Sequence, residues 1–76
     1  MILAAQCRAA RGLLRWKQQD LAARSDVGLS TIKKFETEVT VPHKPTLKAL
    51  KGAFEEAGVE FIERDGSVGV MLNKSD

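Results

Sequence analysis

Apolar residues near the start of the chain recur with helical spacing. Between Ile2 and about Leu14, positions i, i+4, i+7 and i+11 are occupied by Leu3, Cys7, Ala10 and Leu14. This spacing predicts a first helix with one buried stripe.

Two shorter helices are predicted between residues 17 and 36. The first begins at Gln18 and presents a narrow inward edge of Leu21 and small residues. The second places Ile32 and Phe35, at i and i+3, on one apolar face. A close helix pair is therefore expected here.

The turn between these helices, Asp26-Val27-Gly28, is too short for any other element. One of its residues is expected to adopt a left-handed backbone, which Asp tolerates better than most residues other than Gly. Gly28 is an acceptable N-cap for the next helix. Arg15 stands where a Gly would end the first helix at the lowest cost, so strain is expected at that corner.

The pattern changes after the third helix. Residues 37–45 contain two prolines and no helical period, which predicts a loop. A fourth helix is expected to open at Pro45 and Thr46 and to end with Gly58 at the C′ position. Its buried stripe is predicted to consist of Leu47, Leu50, Phe54 and Ala57.

The final segment has the alternation of a β-hairpin. Two apolar-rich runs, 59–63 and 68–72, flank Asp65-Gly66, which is a strong hairpin signal. Because a lone hairpin is marginal in water, it must pack against the helices or pair with a second chain. Residues 59–72 are therefore a candidate dimerisation element, with an interface predicted at Phe61, Val68 and Val70.

Length and charge refine this description. A chain of 76 residues makes one domain with a small core. Residues 1–51 hold ten Lys or Arg against four Asp or Glu, a net +6, whereas residues 52–76 hold two against six, a net −4, and the two sum to the overall +2. The basic part contains the paired short helices, which favours a nucleic-acid partner.

Several functional classes are disfavoured. The lone Cys7 cannot form an internal disulfide and is expected to be buried and inert. No run approaches the ~20 apolar residues of a membrane span, and the N-terminus does not resemble a signal peptide, so a cytoplasmic location is expected. No catalytic constellation is visible, and no enzyme, metal site at His43, cofactor or small-molecule ligand is expected.

Helix, turn and helix together are typical of the DNA-binding supersecondary unit. Residues 17–36 resemble the helix-turn-helix of the Cro and phage-repressor family, also called the xenobiotic-response-element family. The positions in register with the family pattern are Gln18, Leu21, Ala22, Val27, Ser30, Thr31, Ile32, Phe35 and Glu36. The likeness extends more loosely over residues 6–58. The chain departs from the family at Asp26, where Gly is usual, and at Lys17 and Gly28, where Ser or Thr caps are usual.

The resemblance implies a DNA interface on the outward face of the second motif helix and at nearby helix ends. Its candidate residues are Lys17, Gln18, Gly28, Leu29, Ser30, Lys33, Lys34, His43 and Lys44. Positions 17, 18, 43 and 44 suit phosphate contacts, and positions 28, 29, 30, 33 and 34 suit base edges. Lys33 and Lys34 could instead touch only phosphate, and His43 could be a solvated loop residue.

The charged pair of Arg11 and Glu36 and the side chain of Trp16 each have two possible interpretations. In the resembling family, an Arg of the first helix pairs with the Glu that ends the recognition helix, which implies an ion pair between Arg11 and Glu36; the alternative is two solvated charges. Trp16 has the spacing of a hydrophobic staple to Leu21, and the alternative is a Trp lying against the DNA backbone.

The sequence therefore predicts a mainly α protein: a small four-helix, repressor-like DNA-binding domain over residues 1–58, a C-terminal β-hairpin over 59–72 and a frayed tail over 73–76. The predicted function is sequence-specific regulation of transcription, most simply repression, by a homodimer on double-stranded DNA. Two other functions remain open. One is a protein-interaction module, such as an antitoxin, that binds a partner protein through the hairpin; the other is an adaptor that kept the fold without DNA binding.

Overall fold

A computed structural model describes residues 1–74 as four helices followed by a two-stranded antiparallel hairpin, which confirms the predicted mainly α fold. The elements are α1 (Ala4–Leu14), α2 (Gln18–Ser25), α3 (Leu29–Glu36), α4 (Lys44–Glu56), β1 (Val59–Arg64) and β2 (Ser67–Leu72). The predicted frayed tail lies partly outside the described residues. Within residues 1–74, no helix is both long and apolar enough to cross a membrane.

The core lies where the four helices and β1 meet. Its largest fully buried side chains are Phe54, Leu21, Ile32, Leu50, Val59 and Cys7. The ring of Trp16 stacks on that of Phe54, with 5.7 Å between the ring centroids. The half-buried Trp16 therefore packs onto the core cluster that contains Leu21, and its main ring partner comes from α4.

The predicted stripe of α1 is wrong at its first position. Leu3 is 49% exposed, whereas its neighbour Ile2 is only 2% exposed and joins the core. The reason is that α1 begins at Ala4, with Leu3 as an N-cap of extended backbone, φ −98° and ψ 158°. Helical periodicity does not apply to residues that precede the helix, so the extended chain turns Ile2 inward instead.

Each helix is followed by a residue with a left-handed backbone. Arg15, Asp26 and Glu38, with φ of 58°, 60° and 63°, follow α1, α2 and α3, and Gly58, with φ of 96°, follows α4. The expectations for Arg15, Asp26 and Gly58 are confirmed, but Glu38 was not predicted. A left-handed backbone is cheap only for Gly, so three of the four helix ends carry a steric cost.

Replacing Arg15 with Gly is expected to raise the free energy of unfolding by about 0.5–1 kcal/mol. Left-handed geometry costs a residue with a side chain about 1–2 kcal/mol, and Gly removes this cost. The greater conformational freedom of Gly in the unfolded chain offsets part of the resulting stabilisation. Urea denaturation would measure the change. Lys48→Gly, inside α4, is the matched control and should instead destabilise the protein by about 1 kcal/mol.

The hairpin is closed by a two-residue loop and packs onto the helices. Asp65 and Gly66, with φ of 50° and 80°, form the loop, and Arg64 pairs with Ser67 across it. Positive φ at both loop residues is the type I′ geometry that the Asp-Gly signal predicts. On the inner face, Phe61 meets Phe54 edge-on at 5.8 Å between centroids. The hairpin thus completes the core of its own chain.

Candidate nucleic-acid interface

The helix α3 presents one buried and one exposed face. Ile32 and Phe35, 0% and 4% exposed, turn toward the core. Ser30, Lys33 and Lys34 are exposed on the other side. Because the buried residues fix the rotation of the helix, the solvent-facing set is fixed as well.

The start of α2 and one edge of α3 together line a shallow depression of about 250 Å³. Its lining residues are Lys17, Gln18, Gln19, Leu29 and Lys33. The structure therefore brings together four of the candidate residues from two helices. Gln19 was missed by the sequence reasoning, and its position beside Gln18 at the helix start was the available signal.

The other candidate residues lie outside this depression. Gly28 is the N-cap of α3, and His43 is the N-cap of α4. Both are exposed, as is Lys44, the first residue of α4. Lys44 lines a separate groove with Lys48, Lys51 and three apolar residues.

The N-terminus of α2 has unoccupied backbone donors. Lys17 is its N-cap and makes no side-chain capping bond. The Lys17 backbone N–H instead donates to Oδ2 of Asp20 at 2.8 Å, which is half of the interaction in a capping box. The first N–H groups of a helix have no intrahelical acceptor, and the helix dipole makes this end attractive to anions.

The Glu36 carboxylate connects the first three helices. Arg11 of α1 donates from Nε to Oε2 at 2.7 Å and from NH2 to Oε1 at 2.6 Å. Gln18 of α2 donates from Nε2 to Oε1 at 3.0 Å, and the Cys7 thiol lies 3.1 Å from Oε2. Arg8 adds a bond to the Glu36 backbone carbonyl. The last residue of α3 is thereby held by α1 and α2.

This buried arrangement shifts the pKa values of its members. Burial raises the pKa of Glu36, but the hydrogen bonds from Arg11, Gln18 and Cys7 outweigh it, so the pKa lies below its ordinary value. Burial, with the neighbouring Glu36 carboxylate, raises the pKa of the Cys7 thiol far above its ordinary value. Cys7 is also fully buried, so it is a hydrogen-bonding core residue rather than a reactive thiol.

The bond to Glu36 changes the expectation for Gln18. One N–H of its Nε2 donates to the carboxylate, so a phosphate contact by this residue would come from the second Nε2 N–H or from its backbone N–H. Arg11 also donates to the Trp16 carbonyl at 3.1 Å, which fixes the approach to α2. The polar cluster thus positions both the start of α2 and the end of α3.

The cations of the candidate interface are not neutralised by neighbouring carboxylates. Within residues 1–74, the ion pair of Arg11 with Glu36 is the sole salt bridge. Lys17, Lys33 and Lys34 are therefore exposed positive charges available to an anionic partner. Arg24 is engaged differently, since its guanidinium lies 5.1 Å from the centroid of the Trp16 ring.

The short α2, the tight turn at a left-handed Asp26 and the solvent-facing α3 define a helix-turn-helix DNA-binding protein. The profile of the helix-turn-helix family matches residues 8–58, two thirds of the chain. The chain therefore belongs to the helix-turn-helix family of the Cro/C1 type, and it is a DNA-binding regulator. A comparison with curated protein sequences gave no significant match.

Proposed function

We propose that this protein is a sequence-specific transcriptional repressor that occupies an operator as a homodimer. The observation that carries the proposal is the exposed face of α3, which is rotationally fixed by its buried side and held at its end by the Glu36 cluster. A rigid helix with unpaired lysines suits insertion into the major groove.

Within this proposal, α3 supplies the base contacts. Leu29 would touch a thymine methyl group, and Ser30 would bond to either type of base. Lys33 and Lys34 would reach the acceptor atoms of guanine. Gln19, exposed in the depression beside Leu29, would add an amide suited to adenine.

Phosphate contacts would flank this helix and set its register. The uncapped start of α2, with Lys17 and the backbone of Gln18, would hold one phosphate. His43 and Lys44, exposed at the start of α4, would hold another. Lysine contacts of this kind make affinity fall steeply with salt.

A homodimer would let two short recognition helices read one operator. One helix contacts only a few base pairs, so twofold proteins bind half-sites about one turn, ~34 Å, apart. The protein measures 33 × 30 × 19 Å, so two copies side by side fit that spacing. The hairpin residues Val68 and Val70 are the proposed contact between the copies.

Selection from a pool of random duplex DNA at two salt concentrations tests this function. An enriched inverted repeat with half-sites about one turn apart is expected, with retention that weakens as salt rises. Weak retention without any enriched sequence would reject the proposal.

The protein-interaction module is the second candidate, and exposed aliphatic side chains favour it. Val39 and Val41, in the loop after α3, are 68% and 79% exposed. Exposed aliphatic side chains of this kind suit contact with a partner protein such as a toxin. Retention of a partner by a protein that selects no DNA sequence would support this candidate over the first.

A further inference from the structure

We propose that the groove beside Lys44, Lys48 and Lys51 of α4 is the docking site for an acidic, amphipathic helix of a second protein. This inference goes beyond the proposed function, because binding of such a helix requires neither DNA nor a second copy of the chain. Only the competition with DNA that follows from it rests on the proposed function.

The groove lies between α4 and the extended segment that precedes α1. Its volume is about 290 Å³, and three lysines and three apolar residues line it: Lys44, Lys48, Lys51, Met1, Ile2 and Leu47. Ile2 and Leu47, 2% and 5% exposed, make an apolar floor that is almost closed to solvent, whereas Met1 is 79% exposed. An exposed methionine is an adaptable contact for an apolar side chain of a partner. The groove thus offers apolar contacts beside a row of positive charge.

The three lysines lie on one face of α4. Lys44, Lys48 and Lys51 stand at positions i, i+4 and i+7, so they form a stripe about 10 Å long. Lys44 and Lys48 are exposed, and Lys51 is half-buried. Within residues 1–74, none of them takes part in a salt bridge. The stripe is therefore a row of cations that the described part of the chain does not neutralise.

Helix electrostatics disfavour this row, so it does not serve the stability of α4. Lys44 lies in the first turn, where the helix dipole favours acidic residues, and that turn contains none. Lys48 lies four residues after Lys44 and three residues before Lys51, and like charges at these helical spacings repel each other. A row of charges that opposes its own helix suits an anionic partner.

Two carboxylates lie near one end of the row without neutralising it. Glu55 is one turn beyond Lys51 but lines a different depression. Glu63 of β1 lines a smaller depression together with Lys51. Neither carboxylate forms a salt bridge with Lys51. Because Glu63 would repel an acidic partner at this end, the carboxylates of the partner are expected mainly toward Lys44.

The spacing of the lysines indicates a helix as the partner. Carboxylates at i, i+4 and i+7 of a helix lie about 6 and 4.5 Å apart along its axis, which matches the lysines of α4. Residues on one face of an extended strand are about 6.6 Å apart, so successive carboxylates would fall out of step with the row. Amphipathic helices bind grooves through apolar anchors at helical spacing.

The size and the apolar floor of the groove distinguish this partner from other anions. A volume of about 290 Å³ lies below the range of about 300–1,000 Å³ that is usual for drug-sized ligands, so the groove suits an anchoring side chain better than a separate small molecule. A DNA backbone is bound through charged and polar groups and gains little from Ile2 and Leu47. An acidic amphipathic helix uses both the cations and the floor.

Lys44 belongs both to this groove and to the proposed phosphate contacts. A helix in the groove would occupy the ammonium group of Lys44 and place carboxylates close to the position of a DNA phosphate. Like charges at this distance repel each other. The bound helix and operator DNA are therefore expected to compete, so the partner would inhibit operator binding.

The test selects displayed helical peptides that bind the wild-type protein without DNA. A length of about 15 residues suffices, because shorter isolated helices are marginal in water. Enriched peptides are expected to carry acidic residues at helical spacing beside leucine or phenylalanine. By fluorescence anisotropy, their affinity should fall at least about tenfold for Lys48→Ala/Lys51→Ala. It should change much less for Lys33→Ala/Lys34→Ala, which removes the same charge from α3.

Changes in the peptide separate docking from simple attraction between charges. Replacing its acidic residues with their amides should abolish binding, and replacing its leucines with serine should weaken binding at least about tenfold. Binding that survives the loss of the apolar residues would overturn the groove as the site, because a basic surface alone would then explain it.

The lysine variants are expected to remain folded. Lys48→Ala removes the repulsion with Lys44 and introduces a strong helix former, so its melting temperature should equal or exceed that of the wild type. Lys51 is half-buried, and Lys44→Ala/Lys48→Ala, at two exposed sites, keeps the test decisive if the change at Lys51 disturbs the fold. This second variant should also lose peptide affinity.

Several outcomes would overturn the docking site: no peptide that prefers the wild type, enriched peptides without acidic residues, or equal losses in the α3 and α4 variants. Loss of operator affinity in Lys48→Ala/Lys51→Ala would assign the row to DNA instead. The result is separable from the proposed function. Peptide binding by a protein that selects no DNA sequence would reject that function and leave the groove standing. A bound peptide that does not displace operator DNA would reject the competition alone.

Discussion

Replacing Glu36 with Ala is expected to lower the free energy of unfolding by about 3–5 kcal/mol. The Glu36 side chain is 3% exposed and Arg11 is 20% exposed, so removing the carboxylate leaves a largely buried cation without its partner. Gln18 and Cys7 lose the same acceptor. For a small domain, this is a large share of a total stability of about 5–15 kcal/mol. Urea denaturation monitored by Trp16 fluorescence measures the change.

Two comparisons separate this effect from ordinary side-chain truncation. Glu56→Ala, at an exposed site on α4, should change stability by less than about 0.5 kcal/mol. The double variant Arg11→Ala/Glu36→Ala should be less destabilised than the two single changes added together, since no unpaired charge remains. Full additivity would show that the pair is not coupled.

The contribution of Glu36 to the free energy of unfolding is expected to depend on pH. The folded-state pKa of Glu36 lies below its ordinary value, so its contribution is fully present above the unfolded pKa of about 4.3. That contribution is lost as the pH falls through the folded-state pKa. The stability difference between wild type and Glu36→Ala should therefore be constant near neutral pH and shrink below about pH 4. A difference that grows in acid would contradict the assignment.

The double variant Lys33→Ala/Lys34→Ala is expected to weaken operator binding by about 2 kcal/mol or more, roughly 30-fold. Both lysines are exposed on α3, and neither is held by a carboxylate among the described residues. Because their side chains point away from the core, the fold should be retained. Fluorescence anisotropy with the selected operator and with a scrambled duplex would measure both affinities.

The pattern of loss distinguishes base contacts from phosphate contacts. If a lysine reads a base, affinity for the operator falls more than affinity for the scrambled duplex. If both lysines touch only phosphate, both duplexes lose affinity alike and the salt slope falls by about one per lysine. Lys48→Ala/Lys51→Ala, which removes the same charge from α4, is the control. Unchanged binding by the α3 variant would reject the assigned face.

Some features of the candidate site are visible only in the tertiary structure. Arg11 and Glu36 could be matched through the family resemblance, but Cys7 and Gln18 joined them only in the folded chain. Their separations of 29 and 18 residues leave no local pattern in the sequence. Gln6 is a similar case, since its burial is explained by carbonyl acceptors on the distant hairpin.

The helices, the hairpin and the family could all be predicted from the sequence, because each depends on local signals. Apolar spacing set the rotation of α3, and Asp65-Gly66 set the hairpin turn. Only the folded chain shows which neighbour is buried at the start of α1, where Ile2 takes the place expected for Leu3. It also shows which side chains meet in the polar cluster around Glu36. These depend on packing between segments distant in the chain, which periodicity does not encode.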